Sequence, residues 1–361
     1  MKRIPKTILI AITSLSLLAF YACPFGYPKR NFPNAFFPDS VCNLSLANSE
    51  FDDINMDLME VDCNKFLVFS SNRLTSGGTY DLVTQVVSFS WDQVDGGLSV
   101  RNDIYVMDPI IKGMATATHT LADEYGPLSF VNSLGGLGTN EVIQYHLIYS
   151  DNENGSQDVR FLEYNTKNSA LVSATFVDSL KDKKNTIPFL SNQEFNEGYV
   201  SFLTSKYCYG SYYSDLTVFS QLIYCNDSLG NYNIFSIAIP GGMALDSFLL
   251  QTGDVSKTNL AAINSTSNDR CPNVNRNFMV FSSDRPGGLG GYDFYYSIYE
   301  NGQWREPVNF GAPINSAYDE YRAITVKDDR YENDLLIFSS NRPGGKGGFD
   351  IYYTGIDVMP E

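Results

Sequence analysis

FSSDRPGGLGGYDFYY at residues 281–296 and FSSNRPGGKGGFDIYY at residues 338–353 are near-copies of one unit. Each reads as two strands joined by a tight glycine-rich turn. Pro286 and Pro343 fix φ at the turn entry, and the glycines behind them permit positive φ. The flanking Phe, Tyr, Leu and Ile residues suit a pleated surface. A unit repeated at this spacing is a supersecondary module that stacks against its own copies.

Its landmarks can be followed upstream. An acidic or amide pair recurs at Asp52 with Asp53, Asp123 with Glu124, Asn196 with Glu197, Asn268 with Asp269, and Asp319 with Glu320. An aromatic follows each pair at Phe69, Tyr149, Tyr224, Phe281 and Phe338. An Asp or Asn then opens the next strand, 9 or 12 residues further on, at Asp81, Asp158, Asn233, Asp293 and Asp350. Arg73, Arg285 and Arg342 follow the aromatic in units one, four and five, whereas units two and three lack both the arginine and the glycine loop. Residues 303–311 supply a fourth strand to unit four.

Four antiparallel strands, repeated, make the blade of a β-propeller. The expected fold is all-β, with five four-stranded blades; six is the alternative, because the long units leave room for another. The last unit stops after its third strand. Residues 41–46 (VCNLSL) align with residues 308–313 (VNFGAP) and are expected to complete that blade, closing the ring and removing an exposed edge. Insertions are expected at residues 96–107, 133–140 and 206–214.

The N-terminus divides differently. Residues 1–22 carry Lys2, Arg3 and Lys6 ahead of an apolar run, which reads as an export signal too short to span a bilayer. Cys23 behind Ala22 is the candidate lipidation site. Residues 23–40, with Pro24, Pro28, Pro33 and Pro38, read as a semi-rigid tether, and residues 41–361 as a single propeller domain.

Residues 281–297 with residues 301–320 resemble the WD-like β-propeller repeats of the TolB type, found in exported lipoproteins of the Bacteroidota cell envelope. The resemblance implies a membrane-anchored outer-membrane lipoprotein, non-enzymatic, serving as an interaction scaffold for envelope protein partners. Lys29 and Arg30, with no acids between Cys23 and Arg30, favour the periplasmic face over the cell surface.

Charge and motifs narrow the chemistry. A formal net charge of −16 disfavours nucleic acid. The glycine loops lack the P-loop pattern, because Lys346 is followed by Gly347 and strands flank both sides. With two histidines, His119 and His146, and no GxSxG, neither a serine triad nor a metal site is expected, and no cofactor. Asp53, Arg73, Asp81, Glu124, Asp158, Glu197, Asp269, Arg285, Asp293, Glu320, Arg342 and Asp350 recur with the repeat and are expected as blade struts. The alternative function is a carbohydrate-binding or glycoside-hydrolase-like propeller using carboxylates in its central funnel. Cys208–Cys225 and Cys42–Cys63 are the candidate disulfides, leaving Cys271 free. Tyr207, Tyr209, Tyr212 and Tyr213 form the candidate interaction loop.

Overall fold

The computed structural model describes residues 35–61, 64–102, 108–134, 142–166, 174–191, 194–204, 212–214 and 218–359. The expected signal segment, Cys23 and most of the expected tether lie outside them. Five separate sheets account for the strands, antiparallel except for Tyr212–Ser214, which joins the blade-two sheet in parallel. Blade one runs from the inside outwards through Asp53–Val61, Asn64–Ser71, Asp81–Trp91 and Leu98–Asn102. Blade two uses Glu124–Leu134, Val142–Asp151, Asp158–Thr166 and Asn185–Thr186. Blade three uses Glu197–Thr204, Phe219–Asn226, Asn233–Ala238 and Lys257–Asn259. Blade four uses Asp269–Asn275, Phe278–Ser283 and Asp293–Glu300, with Gln303–Trp304 and Val308–Asn309 sharing its outer edge.

Blade five joins the two ends of the chain. Glu320–Val326, Asp334–Ser340 and Asp350–Ile356 are completed by Cys42–Asn43, which pairs antiparallel with Tyr352 and Tyr353. Residues 35–38 extend this closure, although they were placed in the tether. Phe37 stacks on Tyr331 at 3.9 Å, and Pro38 O accepts the Gly355 N–H. The innermost strands touch in sequence, one to two through five and back to one, so the ring closes with five blades.

Five apolar clusters hold the ring, one in each gap between blades. Met59 and Phe66 meet Tyr145 and Leu147 between blades one and two. Phe130 meets Phe202 in the next gap, Ile223 meets Met279, Val280 meets Leu336, and Ile337 meets Leu67. The second strands of blades four and five, FMVFSS and DLLIFSS, are accordingly buried at every residue on both faces.

Two expected insertions resolve otherwise. Residues 98–102 are the outer strand of blade one. Further along, helix Pro109–Thr118 carries the chain to blade two. Pro109 sits at its first turn and Asp108 accepts from the N–H of Ile110 and Ile111, while Ile110, Ile111 and Met114 are buried in the first gap. Among the described residues no helix is long and apolar enough to cross a membrane.

Candidate functional site

The paired landmarks build the seams between blades. The first member of each pair accepts the N–H of the residue ending the turn of the preceding blade. Tyr80 N bonds Asp123 at 3.0 Å, Gln157 N bonds Asn196 at 3.0 Å, Tyr232 N bonds Asn268 at 3.1 Å, Tyr292 N bonds Asp319 at 2.9 Å and Phe349 N bonds Asp52 at 2.8 Å. The second member returns its own N–H to the carbonyl of that same residue, as Glu124 N does to Tyr80 O at 2.8 Å. All five seams repeat this two-point clasp. The glycine turns make room for it: a Cβ at Gly347 would lie 2.0 Å from Phe51 O of the adjoining blade.

The carboxylates of the second members turn inward. Arg73, Arg285 and Arg342 pair with Asp53, Asp269 and Glu320, aided by the hydroxyls of Ser71, Ser283 and Ser340. In blade three, Lys257 Nζ takes that place, 3.1 Å from Glu197. Among the described residues, blade two has no such base beside its acid. Glu124 receives the Thr120 hydroxyl at 2.7 Å, and burial pushes its carboxyl up to about 8. All five acids are at most 1% exposed, so none can meet a substrate. Asp293 and Asp350 accept backbone N–H groups of their own glycine turns, and Arg342 bonds Glu320 rather than Asp350. Asp158 lies 3.9 Å from Arg160, and Asp81 lies 3.8 Å from His119. His146 packs between Phe130 and Phe161 with no hydrogen bond to either ring nitrogen.

Two residues beyond each acid, the inner strands bulge. Asn55, Gly126, Tyr199, Cys271 and Arg322 all adopt left-handed backbone, with φ between 46° and 57°. Arg322 is fully buried and crosses the axis. Its Nη1 donates to Pro272 O at 3.0 Å in blade four, and its Nη2 to Pro127 O at 3.2 Å in blade two. The Tyr199 ring lies against Gly126, where a Cβ would come within 2.6 Å of it. Asp57, which feels the Arg322 charge, accepts the N–H and hydroxyl of Ser129 at 2.6 and 2.8 Å. The axis is thus filled at mid-height.

The far end is occupied as well. Tyr212–Ser214 adds in parallel to Val131, Asn132 and Ser133, on the inner edge of blade two. This segment belongs to the insertion expected as an interaction loop, so Tyr212 and Tyr213 sit in a strand against the innermost strand of blade two. Tyr207 and Tyr209 lie outside the described residues. So do Cys63 and Cys208, so each anticipated bridge has one member there; Cys42 and Cys225 are free thiols among the described residues. Cys225 instead sits fully buried, with Sγ 3.6 Å from Gly198 O.

At the near end, where the inner strands begin, aromatic side chains from every blade converge. Tyr80 packs on Tyr125 at 5.3 Å, Tyr292 on Tyr321 at 5.6 Å, Tyr199 on Tyr321 at 6.2 Å, and Tyr321 on Phe349 at 6.5 Å. Arg270 stands among them, its guanidinium 4.0 Å from the centre of the Tyr232 ring and 5.2 Å from that of Tyr321. Burial holds Tyr199, Tyr232 and Tyr321 as neutral phenols, Tyr232 being pushed up to about 12. Asp52 and Asp123 adjoin this ring: Tyr80 donates its hydroxyl to Asp52 at 2.7 Å, and Tyr125 bonds Asp123. Sequence reasoning missed these residues. The available signal was the aromatic directly before the strand-opening Asp or Asn, at Tyr80, Tyr232, Tyr292 and Phe349.

No family model matches the chain, and no curated protein matches it. Among solved structures, a glycosyl hydrolase from Bacteroides ovatus aligns at 9% identity over 92% of this chain and 95% of its own, with a TM-score of 0.44. An α-L-arabinofuranosidase from Podospora anserina, in complex with cellotriose, aligns at 9% identity over 90% and 97%, with a TM-score of 0.41. An exo-1,5-α-L-arabinanase from a bovine ruminal metagenomic library aligns at 9% identity over 86% and 95%, with a TM-score of 0.45. The expectation of TolB-type kinship is not upheld: no family model supports it, and the solved structures named above are glycoside hydrolases and not TolB-type proteins. The non-enzymatic scaffold drawn from that kinship is set aside with it. At such identity no residue role passes from them to this chain.

Proposed function

We propose that the protein is a carbohydrate-active propeller whose glycan site is the tyrosine-lined mouth around Arg270. One observation carries the reading. Aromatic side chains from all five blades meet at a single end of the axis, half-buried, above a floor closed by Arg322 and Tyr199. Flat apolar faces edged with hydroxyls suit sugar rings, and a concave aromatic lining with a few polar groups is the usual form of a small-molecule site. Cleavage of a glycosidic bond calls for two carboxyl groups flanking it. The strand-opening acids are sealed from the mouth, so cleavage here would draw on Asp52 and Asp123, the carboxylates that reach the tyrosine ring.

Affinity electrophoresis of the full-length protein through a panel of neutral and acidic polysaccharides tests binding. Release of reducing ends from the retained polymers, compared with Asp52→Asn and Asp123→Asn, tests cleavage. Retardation by at least one polymer is expected. Unretarded migration through every polymer would overturn the reading.

A further inference from the structure

We infer that the sugar taken by this mouth is acidic, and that Arg270 reads its carboxylate; the inference rests on the glycan reading of the site. Arg270 departs from the repeat. The equivalent position, one residue after the strand-opening acid, holds Ile54, Tyr125, Gly198 and Tyr321 in the other blades. The arginines that belong to the repeat are each paired with a buried carboxylate. Arg322 on the axis is held by the carbonyls of Pro127 and Pro272. Arg270 has neither arrangement. The ionisable groups nearest it are Tyr321, Tyr199, Cys271 and Cys225, phenols and thiols that burial keeps neutral, so they supply no counter-charge. Its Nε is shut off from solvent and has no hydrogen-bond partner.

The surrounding rings fix the guanidinium. Tyr232, Tyr321 and Tyr199 lie 4.0, 5.2 and 5.8 Å from it, and the Tyr292 hydroxyl is a polar neighbour. A planar fork held by aromatic rings, with its donors unclaimed by any carboxylate among the described residues, is shaped for two parallel hydrogen bonds to a carboxylate. The sugar ring carrying that carboxylate would then lie along the tyrosines. A uronic acid supplies both parts in one residue. The chain as a whole is acidic, so the preference arises at contact and not by long-range attraction.

The test is calorimetric titration of the full-length protein at physiological salt with tetragalacturonate, a sulfated tetrasaccharide and neutral xylotetraose. Tetragalacturonate is expected to bind about tenfold or more tighter than xylotetraose, as two charge-assisted hydrogen bonds allow. Arg270→Gln should abolish that preference, so that tetragalacturonate and xylotetraose bind the variant with affinities within about twofold of each other. Arg270→Lys keeps the cation but loses the fork and should retain part of the preference. It also decides the matter, with the wild-type comparison, should Arg270→Gln fail to fold. Equal affinity for the acidic and neutral probes overturns the inference and leaves the glycan reading standing, as does a preference for the sulfated probe or one that survives Arg270→Gln. Absence of binding to every probe and to the whole polysaccharide panel overturns both.

Discussion

Arg322→Met would remove the cation that closes the axis. In the wild type that guanidinium spans from blade five to the Pro272 carbonyl at 3.0 Å and the Pro127 carbonyl at 3.2 Å, tying three blades together. The side chain is 0% exposed and the Asp57 carboxylate is 6% exposed, so neither charge can turn to water when the other is lost. Arg322 and Asp57 are not in ion-pair contact, so the cost is that of two buried hydrogen bonds from a cation together with the charge that Asp57 feels, about 3–5 kcal/mol. For a domain of this size that lowers the melting temperature by about 6–10 °C, at roughly 2 °C per kcal/mol. Asp57→Asn in the same chain removes the orphaned charge and keeps an acceptor for the Ser129 N–H. The double variant should therefore recover part of the loss, the remainder being the two carbonyls left unsatisfied. Urea unfolding followed by tyrosine fluorescence and circular dichroism measures all four corners of the cycle. An Arg322→Met variant within about 1 kcal/mol of wild type, or a double variant that loses the sum of the two singles, would refute the axial tie.

Further outcomes follow from other parts of the ring. Gly126→Ala meets the Tyr199 ring at 2.6 Å and has an unfavourable positive φ, so it should destabilise by about 1–3 kcal/mol; an unchanged denaturation midpoint would mean the ring is free to move. Burial lowers His146 to about 4, so the unfolded chain takes up its proton first as pH falls. Stability should then decline from the ordinary histidine range down to about pH 4, by about 1.4 kcal/mol per unit from this group, and His146→Phe should flatten that decline. Equal acid slopes in the two proteins would contradict it. Glu124 acts in the opposite sense: its carboxyl, raised to about 8, stays protonated in the fold, so its contribution is lost as pH rises from the ordinary carboxyl range through about 8, and Glu124→Gln should reduce that loss. Removal of residues 41–46 strips Cys42–Asn43 and the buried Leu44 from blade five, and should cause aggregation through the exposed edge at Tyr352 and Tyr353. An unaltered melting temperature would count against closure at that point.

The ring was legible because each seam uses the same atoms. Asp52 with Asp53, and their four counterparts, recur in type and spacing because each must clasp a neighbouring turn and its own blade. The closing strand was legible for a similar reason: residues 41–46 carry the pattern of a blade edge lacking at the other end. The axis was not legible. Asn55, Gly126, Tyr199, Cys271 and Arg322 share a backbone conformation but no side-chain chemistry, so no pattern links them. Helix Pro109–Thr118 escaped notice because a strand pattern was being followed, although Asp108 and Pro109 form an ordinary helix start. The mouth escaped for the reverse reason. Its tyrosines lie beside the strongest repeat landmarks, and repetition had been read as architecture alone. The same repetition suggested the TolB-type kinship, since seam residues describe how blades join and not what the mouth takes.

The most direct measurement is affinity electrophoresis of the wild type beside the Tyr232→Ala, Tyr292→Ala double variant, matched for melting temperature, through whichever polysaccharide retards the wild type. Both rings belong to the mouth and neither belongs to the axial plug. The expected result is retardation of the wild type and free migration of the variant. Equal retardation of both proteins would place the glycan elsewhere on the ring and contradict the assignment of the mouth.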